Sequence, residues 1–404
     1  MKRHISLMFL IVIANLSYST TIPMVTYAEM WAQSYDSTNP QYEGNILSMM
    51  AQTNYGKKVS QISEVDLAFA GWSSDLTLIT DPDKNINSWF VNDGQTLVPS
   101  STNAYQIDPE YMRWSLAAWQ ANDMQRNTKF LVSFGGWTFG SIWKYLSTAS
   151  DEQIESLAIE INSQITYNHP VYNTWSWWTS KKDPIGTVQL DGLDLDLEAT
   201  DNDQAIPFTD QEKDAIKKLV TDLKSINPNL TITLTTRLNS ADTPDSPSIT
   251  PNTSTAGELL SLLQDPDFMK NIASVNVMAY DSGSKEYQDS GYTVSMGNYK
   301  KAISTAGTNT PVSLGTSMLE QFGDITESND DLVNKAQWIR ENNSDGGMMI
   351  WAVESNGTGD EGNFHLENDA LITIGNALSP SNNSSSLKQI NNITWIDGYY
   401  HSLN

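Results

Sequence analysis

The 404-residue sequence predicts an α/β fold, a closed (β/α)8 TIM barrel, from three observations. Eight short β-rich runs recur along the chain. They stand roughly 30 to 60 residues apart, which leaves room for the crossover helix that each parallel pair needs. Helical patterns with clear N-terminal signals occupy several of the gaps. Eight alternating units favour closure into a barrel, and an open doubly wound sheet is the alternative architecture.

The strand-like runs are Met24–Ala28, Val65–Ala70, Lys129–Ser133, Val188–Leu197, Leu230–Thr236, Ala273–Ala279, Val312–Gly315 and Met348–Val353. Between the fourth and fifth, Thr209-Asp-Gln-Glu212 reads as a capping box, in which each end satisfies an orphan amide of the other. It leads into Ile216, Leu219, Val220 and Leu223, an apolar face at helical spacing. Ser150 opens another helix, with core face Ile154, Leu157, Ala158, Ile161 and Ile165. Leu332, Ala336 and Ile339 mark a third, and Leu366 to Leu378 a last one after the eighth strand.

The ends read differently from the body. Lys2, Arg3 and His4 precede an apolar run from Ile5 to Ala14, and small residues follow at Ser17 and Ser19. This pattern predicts an export signal over residues 1–19 and a secreted protein, with a buried first strand or helix as the competing reading. The run is too short for a lasting membrane anchor. Residues 20–380 form the predicted barrel. Residues 381–404 are a Ser/Asn-rich linker and a tail too short for an independent domain.

Composition removes several kinds of chemistry. The formal charge of −25 repels phosphate backbones and anionic lipid, so nucleic acid and membrane surfaces are not expected partners. Cysteine is absent, which excludes disulfides, a thiol nucleophile and thiolate metal sites. Few histidines remain for a metal site or a Ser-His-Asp relay. No metal or cofactor is expected. What remains is carboxylate and tyrosine chemistry.

The most informative stretch is Asp191-Gly-Leu-Asp194-Leu-Asp196-Leu-Glu198. On a strand, Asp194, Asp196 and Glu198 share one face and the leucines share the other. In a barrel the leucines would pack outward on helices, and the acids would climb the interior to the C-terminal mouth, where such enzymes work. A calcium loop would not alternate with leucine. Three acids this close share protons, so at least one should have a raised pKa, as a general acid requires.

This pattern resembles glycoside hydrolase family 18, the chitinase family, whose signature is Asp-x-x-Asp-x-Asp-x-Glu. Asp191, Asp194, Asp196 and Glu198 match every acid in it. Ser133-Phe-Gly-Gly136 matches the family's Ser-x-Gly-Gly on strand three, and Met278-Ala-Tyr280-Asp281 matches its Met-x-Tyr-Asp on strand six. Trp351 falls where the family keeps a tryptophan under the sugar being cleaved. The resemblance implies that the substrate's own acetamide oxygen attacks the anomeric carbon, in place of a second carboxylate. It implies that Glu198 is the acid and base, that Asp196 orients the acetamide, and that Asp194 and Ser133 hold Asp196. Tyr280 would donate to the acetamide oxygen, and Asp281 and Met278 would line the same sugar site. Asp191, off the period-two face, would be structural. Gly135 and Gly136 are expected to serve close backbone approach.

Trp137 and Trp72, just beyond strands three and two, are candidate sugar platforms. Trp175, Trp177 and Trp178 are placed at the mouth as either a substrate rim or a packed lid. The sequence departs from many relatives after the acid, where Ala199 and Thr200 replace an aromatic residue and proline. About 30 residues separate strands seven and eight, too few for the α+β domain that some relatives insert there, since a domain needs on the order of 50. An open cleft and endo cleavage follow. The resemblance thus implies a monomeric chitinase acting on chitin or N-acetylglucosamine oligosaccharides. An endo-β-N-acetylglucosaminidase acting on N-glycan chitobiose cores is the alternative, and a non-catalytic chitin-binding lectin a third reading.

Overall fold

The computed structural model describes residues 22–29, 62–79, 128–172, 184–249, 253–280, 291–317, 327–353 and 373–379. Eight parallel strands form its centre: β1 (Met24–Glu29), β2 (Glu64–Trp72), β3 (Lys129–Gly135), β4 (Gly192–Leu197), β5 (Thr231–Arg237), β6 (Ser274–Met278), β7 (Val312–Ser317) and β8 (Met348–Val353). β1 pairs in parallel with both β2 and β8, which closes the ring. The predicted (β/α)8 barrel is therefore present, and the open sheet is excluded.

The helices form where local signals place them. α1 (Ile142–Ser147) and α2 (Asp151–Thr166) follow β3. α3 (Asp210–Ile226) joins β4 to β5. α4 (Leu260–Leu263) and α5 (Pro266–Met269) are single turns before β6. α6 (Tyr292–Thr305) precedes β7, and α7 (Asn329–Asn342) precedes β8. Reciprocal capping boxes start α2 at Ser150 and α3 at Thr209, as read from the sequence, and a third starts α7 at Ser328. Of the expected last helix, residues 373–378 are helical and 366–372 lie outside the described residues.

Leu193, Leu195 and Leu197 share one continuous apolar core with the faces of α2 and α3. That leaves the acids of β4 on the interior. β7 and β8 are joined through α7, and no inserted domain interrupts that connection. Behind the mouth, the buried Lys335 of α7 donates to the carbonyls of Ala279 (2.9 Å) and Gly315 (3.2 Å) and pairs with Glu327. Glu327 also accepts the Ser317 amide at 3.0 Å and the Thr316 hydroxyl. These bonds tie the ends of β6 and β7 together just behind Tyr280.

One run is divided. Val188–Leu197 reads as a single strand in the sequence, but β4 begins only at Gly192. Pro184–Val188 pairs antiparallel with His169–Tyr172 in a separate hairpin. Between them the chain turns away from the barrel: the Leu190 amide donates to Ile165 O (3.2 Å) and the Gln189 side chain to Thr166 O (2.9 Å), both at the end of α2. Hairpin and α2 both lead into the N-terminal end of β4, which is the foot of the barrel. Trp175, Trp177 and Trp178 lie outside the described residues, as does the export signal of residues 1–19.

Candidate active site

The strand register sets the site. Ser133 of β3 and Thr233 of β5 are both level with Asp194, and Gly135 and Thr235 are level with Asp196. Four hydroxyls therefore converge on one carboxylate. Ser133 Oγ (2.8 Å) and Tyr27 Oη (2.7 Å) donate to Asp194 Oδ2, and Thr233 Oγ1 (2.8 Å) and Thr235 Oγ1 (3.1 Å) donate to Oδ1. Burial pushes the Asp194 pKa up and these donors pull it back. Hydrogen bonds to the charged form favour it, so the four donors offset part of the rise that burial causes at Asp194.

Asp196 is placed differently. It is buried, and its Oδ1 has no hydrogen-bond partner among the described residues. Burial first, then the charges of Glu198 and Asp194, raise its pKa well above the carboxylate range, with Arg237 opposing. Asp196 is thus the acid of the ladder whose charged form is disfavoured by burial and by an acid on either side. Glu198 follows the last residue of β4 and keeps 15% of its side chain exposed, enough to meet a ligand from the mouth. Burial raises its pKa, while Arg237 and a hydrogen bond from the Trp137 amide lower it.

The glycines after β3 bring its backbone against this ladder. Gly135 adopts φ 113°, and a Cβ there would lie 2.2 Å from Asp196 O. The Gly136 amide donates to that same oxygen at 3.1 Å. Any larger residue at 135 would push β3 off the acids. Asp191 stands at the foot, where its carboxylate accepts the Phe130 amide at 2.9 Å and joins the start of β3 to that of β4.

Aromatic residues complete the cleft. Trp351 is half-buried, stacked on Phe69 at 5.4 Å and 14° and tilted against Tyr27 at 5.3 Å. Trp137 is 41% exposed immediately after the Gly135-Gly136 turn, with its amide on Glu198. Tyr280 and Met278 are buried at the end of β6, and the Tyr280 hydroxyl lies 3.7 Å from Met349 Sδ. Asp281 lies outside the described residues. Trp72 is not a platform. It is fully buried, its Nε1 donates to Ile142 O at 2.9 Å, and its ring packs edge-on against Trp143. Strict alternation from Asp66 would bring Trp72 to the interior, but the register of β2 against β3 shifts between Leu67 and Ala70, and Trp72 packs against the helix layer instead.

Several site residues were not singled out from the sequence. Tyr27, Thr233 and Thr235 are ordinary strand residues by type. Arg237 ends β5 with its Nε 3.9 Å from Glu198 Oε2. Glu64 and Asp66 of β2 are buried, and neither Asp66 oxygen has a partner among the described residues. Burial, then Glu64, Asp194 and Asp196, raise the Asp66 pKa well above its ordinary value. Burial and nearby acids push Glu64 up to about 8, with Lys129 opposing. The available signal was the period-two Glu64-Val-Asp66-Leu pattern, the same alternation that reveals the β4 acids.

A stability consequence follows from Glu64. An ordinary glutamate titrates near pH 4.3, so from about there to pH 8 the folded chain holds a proton that the unfolded chain has released. Stability should fall as pH rises through that window, by several kcal/mol at about 1.4 kcal/mol per pH unit. Glu64→Gln should flatten the slope and raise the unfolding temperature at pH 8. Thermal melts of both proteins at pH 5 and pH 8 test this; an equally steep decline in the variant would show that Glu64 is not the source.

The sequence profile described as "Glycosyl hydrolases family 18" matches residues 24–322. A comparison with curated protein sequences found no match. Among solved structures, the catalytic domain of a psychrophilic chitinase B from Arthrobacter TAD20 is similar, with TM-score 0.56 and 12% identity over 89% of this chain and 95% of that one. A fungal endo-β-N-acetylglucosaminidase of family 18 gives 0.54 and 16% over 89% and 99%. A family 18 chitinase from Pseudoalteromonas aurantia gives 0.51 and 14% over 88% and 99%. At these identities the structures speak for the barrel alone, while the profile match spans most of the chain. The chain belongs to glycosyl hydrolase family 18.

Proposed function

We propose that this protein is an exported chitinase that hydrolyses β-1,4-linked N-acetylglucosamine polymers, with Glu198 as general acid and base. The observation that carries the reading is the intact ladder: an Asp194 saturated by four donors, a buried Asp196 with an oxygen that has no partner among the described residues, and a mouth-facing Glu198. A non-catalytic lectin has no need of three acids stacked in this way. In this reading Glu198 protonates the leaving oxygen while the substrate acetamide oxygen attacks the anomeric carbon. Asp196 accepts a hydrogen bond from the acetamide N–H of the forming ring, and Tyr280 donates to the acetamide oxygen. Trp351 supports the sugar from below and Trp137 receives the adjoining residue, flat rings suiting pyranose faces. Export rests on the basic start and the apolar run Ile5–Ala14. Among the described residues no helix is long and apolar enough to cross a membrane.

The absence of an inserted domain between β7 and β8 leaves that side of the cleft open, which favours binding in mid-chain and endo cleavage. A second reading, cleavage of N-glycan chitobiose cores, draws on the fold shared with the fungal endo-β-N-acetylglucosaminidase. Mass spectrometry of early products separates these readings. Chitin hexamers should be cut at internal bonds into a spread of shorter oligomers, with a high-mannose glycoprotein left intact. Glycan release from the glycoprotein, with chitin oligomers uncut, would replace the first reading by the second.

A further inference from the structure

Arg237 is held more firmly than a rim arginine needs to be. Its Nη2 donates to Ala199 O at 2.8 Å and its Nη1 to Glu258 Oε1 at 3.1 Å, while Nε faces Glu198 Oε2 at 3.9 Å. Glu258 has no exposed side-chain surface, and it also accepts Ser240 Oγ at 2.9 Å and the Phe208 amide at 3.3 Å. A buried carboxylate anchored by three donors therefore aims one edge of a rigid guanidinium at the catalytic acid. The contact to Ala199 O lies one residue beyond Glu198, so the same fork also holds the backbone that carries the acid.

We propose that Arg237, anchored by Glu258, is a positioning residue that sets the proton affinity of Glu198. The inference rests on Glu198 being the acid and base. In the first step the Glu198 proton passes to the leaving oxygen as the glycosidic bond breaks, and a carboxylate remains. In the second, water bonds to the anomeric carbon, the bond to the acetamide oxygen breaks, and Glu198 takes a proton from that water. A group serving both steps must neither bind its proton too tightly nor lose it beforehand. Burial favours the protonated form, and Asp196, whose own pKa the Glu198 charge raises, is the acid next to it on the ladder. Among the described residues, the opposing groups at Glu198 are Arg237 from β5 and the Trp137 amide. Glu258 tempers the arginine from behind.

Charge control makes two predictions of opposite sign. With a fluorogenic N,N′-diacetylchitobioside, kcat/KM should fall on the basic side as Glu198 loses its proton. Arg237→Gln removes the cation and should move this limb to higher pH by about one unit, the lower end of the effect of an adjacent opposite charge. Glu258→Gln removes the tempering anion and should move the limb to lower pH. Arg237→Lys keeps the charge and should leave the limb near its wild-type position, though turnover falls with the lost fork. Circular dichroism and melting establish folding, and either glutamine variant decides the matter by itself if the other fails to fold. Folded variants with an unmoved limb, or both limbs moving the same way, would overturn the proposal alone. A wild-type enzyme inert on the chitobioside and on longer chitin oligomers would overturn the proposed function and this inference together.

Discussion

Glu198→Gln is expected to lower hydrolysis of chitin oligomers by about 10² to 10⁴-fold or more, the range for losing a general acid. Glutamine keeps the size of the side chain and can still accept the Trp137 amide that Glu198 accepts. It cannot give up a proton to the leaving oxygen or recover one from water. Both steps of the reaction are therefore affected, which places the expected loss toward the upper end. Sugar binding should largely survive if, as proposed, Trp351 and Trp137 hold the substrate by its faces rather than through this carboxyl group. Steady-state kinetics with a chitin hexamer, beside calorimetric binding of the same oligomer, separates the two effects. A variant that cleaves near the wild-type rate would remove Glu198 from the chemistry.

The second large effect concerns the substrate. If the acetamide oxygen is the nucleophile, fully deacetylated glucosamine oligomers and plain glucose oligomers should show no detectable cleavage, although their β-1,4 bonds are otherwise alike. The N-acetylated oligomer should first yield the β-anomer, since two successive inversions at the anomeric carbon restore its configuration. Proton NMR within the first minutes, before mutarotation, reads the anomer directly. Initial α-anomer would mean that water attacks the glycosidic carbon itself and that Asp196 does not serve an acetamide. In the proposed route Asp196, buried beside Glu198 with an oxygen that has no partner among the described residues, is the group that would receive the acetamide N–H.

Much of the architecture could be read along the chain because it is locally encoded. The eight strands and the capped helices α2 and α3 follow from alternation, helical spacing and short-range capping, each acting within a few residues. The Asp194-Leu-Asp196-Leu-Glu198 alternation belongs to the same class. Its period of two decides, without any partner, that acids and leucines lie on opposite faces of one strand. The division of Val188–Leu197 was not legible. Those residues have strand-like types, but the hydrogen bonds of Gln189 and Leu190 go to the end of α2, a partner more than 20 residues away. Trp72 misled for a related reason: its neighbours in sequence suggest a mouth, whereas its neighbours in space are Ile142, Phe134 and Trp143.

The sequence alone thus determined the barrel, the acid ladder and the identity of its last member, because backbone periodicity acts over a few residues. Only the tertiary structure decided how protons and charge are shared among the acids. Tyr27, Ser133, Thr233 and Thr235 reach Asp194 from three other strands, Asp66 adds a buried carboxyl group from β2 with no partner among the described residues, and Arg237 turns toward Glu198 from β5. Tyr27 and Thr235 alone lie 208 positions apart in the chain. Burial and distance set the affinity of a carboxylate for its proton, and both exist only once the ring of strands has closed.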